Sequence, residues 1–220
     1  MDWVELLREA APVMLAGAGY TLLYAVAAMV GGLIIGFPTA VLRTVPWKLA
    51  RLPAAFYVSL FRGTPLLVQL FVIYYGLPSV GIEFTPVTAG ILALSLNSGA
   101  YLSESLRGAI ASIARGQWSA SYSLGMGYGQ TLRWVILPQA LRVAVPSMSN
   151  TLISLIKDTS LVSVITMAEL MLATKEVIAV TFRPLPLYIA AAAIYWVLSL
   201  LFEALQRRAE RHLNRAHRGS

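Results

Sequence analysis

The chain has 220 residues, 58% of them hydrophobic and 12% charged, with a mean hydropathy of +0.70; ordinary soluble domains are about 45–50% apolar and about 25% charged. Lipid is therefore its main solvent, and the length fits one membrane domain over 1–220, core about 12–207, with no second soluble domain of normal size. The net charge of +7 sits between apolar runs and in the tail, which excludes nucleic acid as a partner, and the lack of cysteine excludes disulfides and thiol chemistry.

The chain opens with Asp2, Glu5, Arg8 and Glu9, which is not the basic region of a signal peptide. No charge then appears from Ala10 to Leu42, so the first span falls within roughly Pro12–Phe37. Gly32 and Gly36 have the small-xxx-small spacing that lets a second helix approach closely. A basic loop with Arg43, Lys48 and Arg51 leads to a second apolar run, roughly Ala54–Leu77. The third run is roughly Val87–Ile110, the fourth Ser147–Leu172 and the fifth Leu185–Leu205. Between the third and fourth lies a mixed, Gly-rich stretch, 111–146, and the chain ends in a basic tail, about 207–220. The two histidines, His212 and His217, lie in that tail and read as solvated groups rather than metal ligands. The pattern predicts an all-α integral membrane protein with about five transmembrane helices.

Basic residues near span ends set orientation. One side carries eleven: three in the 43–51 loop, three in 111–146 (Arg115, Arg133, Arg142) and five in the tail. The other carries Arg8, Lys175 and Arg183. The N-terminus is therefore expected outside, with the C-terminus and the 111–146 loop in the cytoplasm.

Ionisable groups in a span cost about 2.5–3.5 kcal/mol each at the centre, so each needs a partner or a task. Asn97, Tyr101 and Glu104 of the third span share one helical face, and Arg107 is placed to pair with Glu104. Asn150, Ser154, Lys157 and Asp158 lie close to one stripe of the fourth span. Lys157 and Asp158 are adjacent, about 100° apart, so one is expected to line a path and the other to make a helix contact. Arg62 and Gln69, seven apart, fall on one face of the second span. That span also contains Gly63-Thr64-Pro65, where Pro65 cannot donate to the Phe61 carbonyl. Broken helices at membrane depth line cavities in transporters. Spans two to four are thus expected to surround a polar pathway of Arg62, Thr64, Gln69, Asn97, Tyr101, Glu104, Ser154, Lys157 and Asp158. The same residues also fit hydrogen-bonded helix contacts, and Glu104 with Arg62 or Arg107 fits a structural ion pair.

The loop reads Gly116-Gln117-Trp118-Ser119-Ala120-Ser121-Tyr122-Ser123-Leu124-Gly125 and continues to Val135-Ile136-Leu137-Pro138. It resembles the EAA motif of ABC-importer permeases: Ala120, Gly125, Leu137 and Pro138 match in spacing, with Ser119 and Ser121 in place of the motif's Glu and second Ala. Gly17 to Leu22, Phe61 to Leu66 and Ser154 to Leu161 agree with the polar amino-acid uptake permeases, cystine-type members especially. The resemblance implies five spans, a paired permease (homodimer or heterodimer) and a coupling helix at 118–128 that docks on a separate cytoplasmic ATPase. It also implies a periplasmic or lipid-anchored binding protein that delivers the amino acid. Trp118, Ser119, Ala120, Tyr122, Gly125, Leu137 and Pro138 would be the coupling residues, with Ser119 suited to an N-cap. Gly125, Gly127 and Gly129 follow no predicted strand and no Gly-Lys-Ser/Thr is present, so ATP would be bound by the partner and no cofactor by this chain. Such a chain is a transport subunit of the bacterial inner membrane rather than an enzyme. A passive channel, or a membrane subunit that moves nothing, is the alternative; a channel would transport without ATP.

Overall fold

The computed structural model describes residues 2–215; His217 and Arg218 of the basic tail lie outside them. Every regular element among the described residues is helical: α1 Trp3–Leu42, α2 Lys48–Gly63, α3 Leu66–Phe71, α4 Pro86–Ser112, α5 Arg115–Ser123, α6 Tyr128–Thr131, α7 Leu137–Asp158, α8 Leu170–Thr181 and α9 Pro184–Arg215. Short π-helical turns, Val72–Gly76 and Leu132–Ile136, continue α3 and α6, and 3₁₀ segments cover Leu77–Val80 and Thr159–Ile165.

Two helices are long and apolar enough to cross a membrane, α1 and the Pro184–Arg208 part of α9. A third span results if α2 and Leu66–Val80, bent by 107° at their junction, count as one. At 27 and 22 residues, α4 and α7 are about 40 and 33 Å long, enough for a core of about 30 Å. Both carry charged residues, which α1 lacks over 10–42.

Two of the apolar runs are interrupted. The second breaks at Thr64, where the backbone turns extended (φ −120°, ψ 148°) ahead of Pro65. Arg62 and Gln69 therefore do not share one helical face. The fourth run is not one helix to Leu172: α7 stops at Asp158 and a 3₁₀ segment follows. There the Thr159 hydroxyl donates to the Ile156 carbonyl (2.7 Å) and Ser163 to Ser160 (2.7 Å), the local competition by which hydroxyls disfavour continued α-helix. Thr166 then takes a left-handed φ of 59° before α8.

α1 packs along α4 more extensively than any other pair of helices. The approach depends on Gly32 and Gly36. A Cβ on Gly36 would lie 2.7 Å from the Gly99 carbonyl oxygen, and one on Gly99 would lie 3.2 Å from that of Gly32. The core is in three parts. Tyr24, Ala25, Ala28, Ala93, Leu94, Ile156 and Val162 fill the middle. Ala40, Leu106, Ile110, Ile136, Ala140 and Ala144 fill the end that carries α5. Leu6, Ala10, Met14, Leu170, Leu187 and Ala191 fill the opposite end, which is why α1 begins well before Pro12.

Gly36→Val forces a side chain against backbone that cannot retreat, and overpacking of this kind costs about 1–3 kcal/mol. The variant is expected to lower the melting temperature of the detergent-purified protein. Gly19→Ala, with no atom within 4 Å of the added carbon, should leave it unchanged.

Candidate functional site

A cavity of about 600 Å³ opens between the broken second segment, α4 and α7. Thr64, Pro65, Leu66, Asn97, Ser98, Tyr101, Ser105, Ser147, Asn150, Thr151, Ser154, Leu155, Lys157 and Asp158 line it. Six of the nine pathway residues expected from sequence are thus together: Thr64, Asn97, Tyr101, Ser154, Lys157 and Asp158. Arg62, Gln69 and Glu104 are not on its wall.

The break at Thr64 builds this wall. A span interior offers no water to satisfy a freed carbonyl. Gln69 Nε2 donates to Phe61 O (3.0 Å), Thr64 O (3.1 Å) and Thr64 Oγ1 (2.9 Å), and Asn97 Nδ2 donates to Phe61 O (3.2 Å) and Gln69 Oε1 (3.1 Å). The Thr64 hydroxyl itself donates to Leu60 O at 2.8 Å. Gln69 is buried and serves the break, while Asn97 does so from the cavity wall.

Lys157 and Asp158 both line the cavity, contrary to the split roles expected from their angular separation. A lining position needs only one side of the side chain exposed, so two adjacent residues can both reach the cavity at the end of α7. They form no ion pair with each other among the described residues. Asp158 is half-buried and Lys157 exposed. Asn150 shares the wall and its Oδ1 also accepts from Gln206 Nε2 of α9 at 3.3 Å. Ser105 and Ser147 join their hydroxyls at 2.7 Å across α4 and α7.

Glu104 is the hub of an ion cluster outside the cavity. It pairs with Arg107, whose Nε donates at 3.1 Å and whose Nη2 also reaches it, with Nη1 of Arg43, and at 3.9 Å with Arg62. Sequence reasoning named Arg62 and Arg107 but left Arg43 in the loop, since a contact 61 residues apart carries no local signal. The Arg62 guanidinium lies 5.3 Å from the centre of the Tyr101 ring, which places it beside the cavity through a cation–π contact.

A second polar knot was missed altogether. Glu169, 1% exposed, caps α8 by accepting from Leu172 N at 2.8 Å and takes hydrogen bonds from Tyr195 (2.6 Å) and Thr21 (3.4 Å). It ties α1, α8 and α9 at one point. A carboxylate standing directly before the apolar run Leu170–Ala173, where it can cap the N–H groups of a helix start, was the available signal.

The motif loop is shorter than 111–146, because α4 runs to Ser112 and α7 begins at Leu137. Within it, α5 starts at Arg115 after Ala114, so Ser119 lies inside the helix and is not its N-cap. Ser121 is buried and its hydroxyl turns back to Gln117 O at 2.8 Å. Gly125 has φ +78° and closes α5: its N–H donates to Tyr122 O (2.9 Å) and that of Met126 to Ser121 O (3.1 Å). This is a Schellman end, and it needs a left-handed residue. Trp118 stacks on Tyr128 (5.8 Å between centroids), and the Tyr128 hydroxyl donates to Thr44 O at 2.8 Å. These two hold the loop to the end of α1. Tyr122 and Leu124, 47% and 82% exposed, face outward, as does Ala120. Leu137 packs on the core at this end and Pro138 occupies the first turn of α7.

Gln69→Leu and Asn97→Leu each remove a donor to the Phe61 carbonyl, and because they share that acceptor their effects should not add. A double-mutant cycle on thermal stability is expected to give a coupling of about 0.5–3 kcal/mol.

Known proteins agree with this architecture. Residues 32–215 match the family described as binding-protein-dependent transport system inner membrane component. The probable amino-acid ABC transporter permease protein YckA of Bacillus subtilis is 42% identical over 94% of this chain and 92% of its own. The L-cystine transport system permease protein TcyB of the same organism is 44% identical over 93% and 88%. The glutamine transport system permease protein GlnP of Escherichia coli is 39% identical over 96% and 97%. A crystal structure of an amino acid ABC transporter with histidines superposes with a TM-score of 0.90 at 36% identity, covering 96% of this chain and 99% of that one. The MetNI methionine ABC transporter, at 21% identity and a TM-score of 0.78 over 91% and 96%, shares the fold. The chain belongs to the family of binding-protein-dependent transport system inner membrane components, as an amino-acid ABC transporter permease.

Proposed function

We propose that the chain is the permease subunit of an ATP-driven importer that moves a polar amino acid across the bacterial cytoplasmic membrane, with a cystine-type substrate favoured. One observation carries the reading: the 600 Å³ cavity between the broken second segment, α4 and α7 is lined by Lys157, Asp158, side-chain amides and hydroxyls. A zwitterion presents both charges and several donors and acceptors, and that lining complements all of them. The similarity to TcyB supports cystine, and the similarity to GlnP supports glutamine as the first competitor.

In this reading five spans cross the membrane: α1, α2 with α3 as one broken span, α4, α7 and α9. The N-terminus is outside, and α5 and the basic tail are cytoplasmic. A second permease subunit completes the pathway, and a periplasmic or lipid-anchored protein supplies the solute. A separate ATPase binds ATP and engages α5 through Tyr122 and Leu124. This chain holds no cofactor or metal of its own.

The test is uptake in proteoliposomes containing the chain, its ATPase and its binding protein, with labelled cystine and then glutamine. Uptake is expected to require lumenal ATP and to fall at least tenfold in Tyr122→Ala/Leu124→Ala, which exchanges exposed side chains and should leave the melting temperature unchanged. Asp158→Asn should lower uptake without lowering basal ATP hydrolysis. Transport that ignores ATP would replace the importer with a passive channel.

A further inference from the structure

A second polar pocket, about 340 Å³, lies where α1, α4 and α5 converge. Arg43, Arg107 and Arg115 line it with Thr44 and Trp118, and no carboxylate is on its wall. Glu104 behind it is shared by Arg43, Arg62 and Arg107, so one negative charge faces three positive ones before Arg115 is counted. Glu104 accepts from Nη1 of Arg43 and from Nε and Nη2 of Arg107. The other guanidinium N–H groups of these two have no acceptor among the described residues, and Arg115, which is exposed, makes no hydrogen bond or ion pair with them. Each guanidinium carries five donors in a planar fork suited to phosphate oxygens. Ala114 has no side-chain oxygen to cap α5, so the helix enters beside the pocket with the Arg115 and Gly116 amides uncapped, that of Gln117 being taken by Ala114 O at 2.9 Å.

Depth selects the ligand. In α4 the uncharged stretch Pro86–Ser103 spans about 27 Å, so Glu104 and Arg107 stand where a core of about 30 Å ends, and Arg43 is held level with them by its pairing with Glu104. That is the level at which lipid phosphates meet a spanning helix, and Trp118 has the amphipathic ring favoured there. We propose that this pocket binds a phosphate group, that of an anionic lipid headgroup in the adjoining leaflet. The inference requires only that α1 and α4 end at a membrane surface; it does not depend on the transported substrate or on the coupling role of α5.

The full-length chain, purified in detergent, would be examined by native mass spectrometry with phosphatidylglycerol and, separately, phosphatidylethanolamine. Retention of phosphatidylglycerol over phosphatidylethanolamine is expected, reduced about fivefold in Arg115→Gln and unchanged in Arg142→Gln, an exposed arginine of α7 outside the pocket. Arg115 has no side-chain partner to lose among the described residues, so an unchanged melting temperature separates lost binding from lost folding. Adding inorganic phosphate distinguishes the sources: displacement of the lipid at millimolar phosphate makes free phosphate the ligand, and persistence makes it the headgroup. Equal retention of the two lipids, or equal retention by Arg115→Gln and Arg142→Gln, would overturn the proposal. So would a loss of co-purifying ATPase in Arg115→Gln with lipid retention intact, which would make the pocket a protein contact.

Discussion

The structure depends on one freed carbonyl. Pro65 cannot donate to Phe61 O, and lipid offers no substitute. Two amides take the place of the missing N–H, one from the far side of the break and one from α4. The bend of 107° is therefore held shut by side chains rather than tolerated as a defect. Because Asn97 belongs to α4, the same bonds fix where the broken segment stands relative to α4. That position sets the width of the polar cavity. A continuous second helix would need neither amide and would close the space they frame.

Charge in this chain is arranged by the same logic. Glu104 draws together arginines of α2, of α4 and just past the end of α1 toward the end that carries α5, and Glu169 gathers Thr21 and Tyr195 toward the other core cluster. Each acid joins helices that lipid alone would not hold together, since the hydrophobic effect supplies no drive between apolar surfaces inside a bilayer. Between the two knots, the contact of α1 and α4 is made by glycine and serine and relies on close backbone approach.

Much of this was legible in the sequence where the signal was local. Uncharged runs mark α1 and α9, Pro65 marks the break, and the spacing of Glu104 and Arg107 gives their pairing; the coupling helix, expected at 118–128, instead spans Arg115–Ser123. The small-xxx-small pair at Gly32 and Gly36 also finds its partner in Gly99. What could not be read is what depends on distant chain. Gln69 lies seven residues from Arg62, and a helical wheel puts them together; the bend separates them. Arg43 belongs with Glu104 only because α1 and α4 end side by side. Ser119 resembles a cap, yet the helix begins four residues earlier. The end of α7 at Asp158 rests on hydroxyls of Thr159 and Ser163 that compete with the backbone, a balance that composition alone does not decide.

The stacking of Trp118 on Tyr128, and the bond from Tyr128 to Thr44, have a mechanical meaning. They clamp α5 to the end of a helix of 40 residues, about 60 Å long, which packs closely on α4 through Gly32 and Gly36 and on α8 and α9 at its other end. A load applied at α5 is thus received by a stiff beam rather than by a loop. Tilting such a beam by about 5° around its midpoint carries each end about 3 Å sideways. Displacements of that size widen or close a passage for a small solute while every internal contact of the beam stays intact.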